Sequence, residues 1–103
     1  MIDAMNTVRL NSKDFVDDGL SVVESASRIA AEASRLLRSG SNVVVSVHGV
    51  RGVSSSFFNV ILAAVADTLP SESSAARFQV ETETITQRTI YHRAVDAFFP
   101  GRV

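Results

Sequence analysis

There is no cysteine in this 103-residue chain, which excludes a disulfide framework, a thiolate nucleophile and a cysteine metal site, and leaves every redox compartment open. Lysine is almost absent too: Lys13 stands alone beside nine arginines. Arginine permits bidentate contacts with carboxylate or phosphate, but a bias spread over the whole chain reads more simply as base composition of the source genome. Charge of one sign is also lacking. Ten cations against eleven anions give a net charge of -1, so no bulk field draws the chain to nucleic acid or to an anionic membrane. The longest apolar run, residues 60–66, is far short of the roughly 20 residues that span a bilayer. Residues 1–10 lack a basic region followed by an apolar core, so no signal peptide is read and a cytoplasmic location is the expectation. Residues 1–6 carry no pattern and are expected to be a flexible end.

What is present is an ordinary globular balance, 46% hydrophobic and 20% charged. A chain of this length removes roughly two-thirds of its unfolded surface from water and supports one core, so residues 1–103 are expected to form a single domain. Thr7, Val8, Arg9 and Leu10 alternate as a short strand does, with Asn11 and Ser12 as turn residues. Phe15 and Val16 are read as a second short strand returning alongside, ended by Asp17, Asp18 and Gly19. Ser21 and Glu24 have capping-box spacing and open a helix over 22–38. Its inner face is Val22, Val23, Ala26, Ile29, Ala30, Ala33, Leu36 and Leu37. Glu24 and Arg28 form an i,i+4 pair, Arg35 and Arg38 suit the negative end, and Gly40 is the stop.

The chain is organised around residues 42–69. Val43, Val44, Val45, Ser46 and Val47 lack clean alternation and suit a central strand buried on both faces. A Gly-containing turn leads to Ser54, Ser55 and Ser56, and from there a helix apolar nearly all round runs to Leu69 and is ended by Pro70. Residues 71–76 are a polar connection, and residues 77–80 a further strand. Thr84 and Gln87 repeat the capping-box spacing and open a last helix to Phe99, its inner face Ile85, Ile90, Ala94, Val95 and Phe98, closed by Pro100 and Gly101. The expected architecture is therefore α/β: one mixed sheet of about four strands packed with about three helices.

Loop 48–56 concentrates the chemistry. Gly49 and Gly52 allow a sharp turn at the strand end, one of the three serines caps the helix, and the first helical N–H groups carry partial positive charge to which Arg51 adds a full one. This pattern suits a phosphate or carboxylate, or a modified serine. The plainer reading is that the glycines make the turn and a serine caps the helix. No lysine completes a Gly-Lys-Ser/Thr phosphate loop, and Ser56 stands where a hydrolase elbow needs its last glycine. A triad drawn from a serine, His48 or His92, and Asp67 or Asp96 has little behind it. The two histidines lack clustered carboxylates, so neither a metal nor a cofactor is expected. Arg88, His92 and Arg93 make the outer face of the last helix basic, most simply as a solvated face. Adjacent Phe57 and Phe58 point in different directions, one into the core and the other toward a neighbouring element or a partner.

The run VVVSVHGVRGVSSSFFNVILAAV, taken with Ser27 and Arg28 before it and the final helix after it, resembles the bacterial STAS-like domains of unassigned function. These are relatives of the sulfate-transporter and anti-sigma-factor-antagonist fold. In that family a Ser/Thr-Arg pair on a helix precedes a strand, a Gly-containing turn, and Ser-x-Ser-Phe at a helix start. Residues 43–53 look like the strand and turn, and Ser54, Ser55, Ser56 and Phe57 like the helix start. Two departures stand out: Ser46 replaces the acidic residue near the strand end, and no Asp precedes the serines. The resemblance implies a non-catalytic, regulatory protein-binding module with another protein as partner, of the kind of a kinase-like ATPase, and Ser56, or else Ser55, as the residue phosphorylated. Its expected contact residues are His48, Gly49, Arg51, Gly52, Ser54, Ser55, Ser56 and Phe58. The alternative is a small-anion or nucleotide sensor at residues 49–56, and a serine hydrolase is the third reading. Self-association through an exposed Phe58 or an uncovered sheet edge is a further expectation.

Overall fold

A computed structural model describes residues 6–16, 21–69 and 76–99. Strand β1 (Thr7–Asn11) runs into a 3₁₀ turn (Ser12–Phe15), and helix α1 (Val22–Arg38), strand β2 (Asn42–Ser46) and helix α2 (Ser55–Thr68) follow. Strand β3 (Phe78–Glu81) and helix α3 (Ile85–Phe98) complete the order. The expected turn at Asp17, Asp18 and Gly19, the stops at Pro70 and Pro100, and most of the 71–76 connection lie outside the described residues, as does the expected flexible start at 1–5.

The α/β architecture read from the pattern is the one the chain adopts, with a simpler sheet. Among the described residues the sheet has three strands in the order β1-β2-β3, all parallel. The antiparallel partner expected at Phe15 and Val16 is absent: the chain closes instead into the 3₁₀ turn, where the Val16 N–H bonds back to the Lys13 carbonyl at 3.4 Å. Two apolar residues give too short a ladder to hold an edge, so only strands separated by helices remain, and these run in one direction.

Side chains in register settle which face is the core. Val8, Val43 and Phe78 share one row and Leu10, Val45 and Val80 another, and on this face Val43, Val45 and Phe78 are fully buried. The intervening rows, Arg9 with Val44 and Gln79, and Asn11 with Ser46 and Glu81, lie on the opposite face. Right-handed crossovers that step twice in the same direction put their helices on one side of a sheet, and α2 packs between α1 and α3 there. The second face is left polar, with Thr7, Arg9, Asn11, Gln79 and Glu81 exposed. Strand β2 is thus buried fully on one face only: Val44 is half-buried, while Ser46 is buried beneath the rim where Arg9 and Glu81 pair across the strand.

The helix boundaries follow the local chemistry. At the start of α1, Ser21 Oγ accepts the Glu24 N–H at 3.1 Å and Glu24 Oε1 accepts the Ser21 N–H at 3.4 Å, a reciprocal capping box. At its end Gly40 (φ +96°) turns left-handed, and the Gly40 and Ser41 N–H groups bond the Leu37 and Leu36 carbonyls, a Schellman motif. Glu24 is committed to the cap, so the i,i+4 pair expected with Arg28 gives way to Glu32 and Arg35, where Arg35 Nε donates at 2.9 Å. Arg77, expected as the first residue of the strand over 77–80, is instead spent on this corner. Its guanidinium donates to the Leu37 and Ser41 carbonyls at 2.9 and 2.8 Å and to Asn42 Oδ1 at 3.3 Å, tying the end of α1 to the entry of β2 and β3.

Four side chains depart from the helical pattern. Phe58 is fully buried, edge-on to Phe57 (centroids 5.5 Å apart) and to Tyr91 (5.3 Å). It cannot touch a partner or mediate self-association, because α2 lies between α1 and α3 and both of its phenylalanines meet a neighbouring helix or the sheet. Ile85 is 84% exposed, since the first residue of α3 precedes the turn that reaches the core, and Tyr91 joins Ala94 and Val95 inside. Val22 and Val23, at the corresponding end of α1, are exposed as well.

Candidate functional site

In a parallel sheet every strand delivers its following loop, and the next helix start, to the same edge. The edge at the strand C-termini here gathers the 3₁₀ turn after β1, loop 47–54 after β2 and residues 82–84 after β3, with the N-termini of α1, α2 and α3. It brings together most of the residues singled out in the sequence. His48, Gly49, Arg51, Gly52, Ser55 and Ser56 are exposed, and Ser54 is half-buried.

The loop has a built shape. Gly49 (φ +78°) and Gly52 (φ +74°) both take left-handed backbone conformations that a Cβ disfavours. The Val50 N–H closes a turn on the Val47 carbonyl at 3.3 Å. The Gly49 N–H donates to Glu83 Oε1 at 2.9 Å, and the His48 ring Nε2 lies 3.3 Å from the Thr82 carbonyl oxygen. Gln87, buried in the first turn of α3, accepts the Glu83 and Thr84 N–H groups through Oε1, while its Nε2 reaches the Val50 carbonyl at 3.5 Å. Loop 47–52 is therefore pinned to the β3–α3 turn at three points. Glu83 and Gln87 were not among the residues picked from the sequence as loop contacts; Gln87 had a signal only as a helix cap.

Helix α2 begins with Ser54 as its cap, the hydroxyl accepting the Phe57 N–H at 3.4 Å. Ser55 and Ser56 occupy the first turn with no acidic residue among them. A negative group on either would sit at the positive end of the helix macrodipole. Arg51 makes no ion pair among the described residues. His92 is exposed beside Tyr91, centroids 5.9 Å apart, and Arg88 and Arg93 are exposed on the same helix. Arg88 borders an open depression of about 180 Å³ with Thr82, Glu83, Thr84 and Ile85.

Electrostatics around this edge are dominated by Arg9 and Glu81. The Arg9 hydrogen bond holds the Glu81 carboxyl below its ordinary range, partial burial opposes this, and the charges of Arg9 and His48 add to the lowering. Among the described residues no group of three His, Asp or Glu side chains converges as a metal site would require. No helix among them is long and apolar enough to cross a membrane. Compared with protein-family models, curated proteins and solved structures, the chain gives no match to any of the three.

Proposed function

We propose that this chain is a non-catalytic regulatory module that binds another protein through loop 48–54 and the first turn of α2, with Ser56 as the residue on which phosphorylation acts. The observation that carries the reading is the pinned loop. Gly49, His48 and Val50 are held by Glu83, Thr82 and Gln87, while Arg51, Ser55 and Ser56 remain exposed around it. A surface already ordered before contact loses little conformational entropy on binding. A phosphate on Ser56 adds close to two negative charges at a helix start that tolerates them. It changes what a partner must desolvate without requiring the fold to move. Phe58 has no part in this contact.

The surrounding topology supports the same reading. Among the described residues the strand order β1-β2-β3 contains no switch point, and so no crevice between oppositely directed crossovers of the kind that receives nucleotides in doubly wound sheets. Three cavities along the described surface, of about 110, 50 and 180 Å³, are each small beside the roughly 300–1,000 Å³ of small-molecule sites.

The test is affinity capture of the tagged chain from its native cells, with mass spectrometry of bound proteins and of Ser54, Ser55 and Ser56. A specific partner lost in the double variant Arg51→Ala, Ser56→Ala supports the reading; capture unchanged by that variant rejects this surface. Stabilisation by inorganic phosphate or a nucleotide that disappears in Arg51→Ala, with no partner captured, replaces it with an anion sensor.

A further inference from the structure

The described residues expose four large hydrophobic side chains, Val16, Val22, Val23 and Ile85. Two of the four lie at one place. Val16 follows the 3₁₀ turn and Val22 opens α1, beside Val50 and Arg51 of the loop of the proposed interface. Between them is a cavity of about 50 Å³ lined by Val16, Val22, Ser25, Val50, Arg51 and Phe57. Val16 is 50% and Val22 38% exposed, while Phe57 and Ser25 are buried and form its floor. Gly52 lies beside Val22, where an added Cβ would stand 3.9 Å from Val22 Cγ2.

We propose that this cavity is the anchor point of the interface, taking one small aliphatic side chain of a partner polypeptide that carries a carboxylate beside it. Volume sets the first half. A space of about 50 Å³ is several-fold below that of a small-molecule site and matches one alanine-to-valine-sized side chain, so the occupant is part of something larger. Charge sets the second half. Arg51 stands on the rim with no ion pair among the described residues, and the first turns of α1 and α2 turn their N–H ends to the same edge. The acidic residue in the first turn of α1, Glu24, is occupied by its own cap. An apolar pocket beside one accessible arginine is the composition of an interface hot spot. This rests on the proposed protein-binding role and names the chemistry of the partner segment.

The test uses the whole chain with methyl-labelled valine and three blocked pentapeptides: Gly-Asp-Val-Asp-Gly, Gly-Asp-Ser-Asp-Gly and Gly-Lys-Val-Lys-Gly. The first should shift the methyl resonances of Val16, Val22 and Val50 saturably in the millimolar range, and the other two should not. Arg51→Ala should raise the Kd about threefold, the scale of one exposed charge pair. Val22→Ser, at an exposed helix start where the fold tolerates it, should abolish the shifts. No shift at about 5 mM peptide, equal shifts with the serine or lysine peptide, or an unchanged Kd in Arg51→Ala would overturn the inference. A partner captured through Arg51 and Ser56 but indifferent to Val22→Ser would also overturn it while leaving the protein-binding role standing.

Discussion

Phe58 divides the sequence pattern from the structure most sharply, and its replacement by alanine measures the difference. The ring is fully buried and meets Phe57 and Tyr91 edge-on, at centroid distances of 5.5 and 5.3 Å. Truncating a buried phenylalanine costs about 3–5 kcal/mol, and two edge contacts place this site toward the upper part of that range. A chain of this length has a total stability of about 5–15 kcal/mol, so the variant loses about a quarter of it or more. The Tm should fall by about 15 °C or more. Phe58→Leu keeps most of the volume and should lose about 1–2 kcal/mol. Urea unfolding followed by far-UV circular dichroism gives both values. Fluorescence of Tyr91, the one tyrosine in the chain and a neighbour of the mutated ring, reports the same transition locally. A loss below about 1 kcal/mol in Phe58→Ala would place the ring at the surface and refute the packing of α2 between α1 and α3.

Two further predictions follow from side chains that tie elements together. Arg77→Met removes three donors from the Leu37 and Ser41 carbonyls and Asn42 Oδ1, and should cost about 2 kcal/mol in urea unfolding, with Arg77→Lys recovering only part because an ammonium cannot reproduce the fork. Glu81 has a carboxyl lowered in the folded state by Arg9. Its stabilisation is therefore present above the carboxyl's unfolded pKa and is lost as pH falls through the lowered folded value. Glu81→Gln should flatten the acid side of the stability profile, salt should weaken the effect, and the Glu81 carboxyl should titrate at higher pH in Arg9→Ala when followed by NMR.

Helix boundaries were legible in the sequence because capping is a local transaction. Ser21 with Glu24, Thr84 with Gln87, and Gly40 each act within a few residues of the backbone groups they satisfy, so spacing alone revealed them. The loop after β2 was legible for the same reason, since Gly49 and Gly52 are required where φ is positive. The Glu83 contact was not, because 34 residues separate it from Gly49 and only strand pairing brings them together.

What the sequence by itself determined is the alternation of strands and helices, their caps, and the placement of glycines and serines at one strand end. All of these are set by interactions within about one turn of chain. What the tertiary structure alone decided is which surfaces those elements share. That β2 is buried fully on one face only, that Phe58 points inward and Ile85 outward, and that Val16, Val22 and Val50 meet at one cavity depend on both crossovers turning to the same side of a three-stranded parallel sheet. Hydrophobicity is a property of a residue, but burial belongs to the pair of surfaces that close over it, and residues distant in the chain supply the second surface.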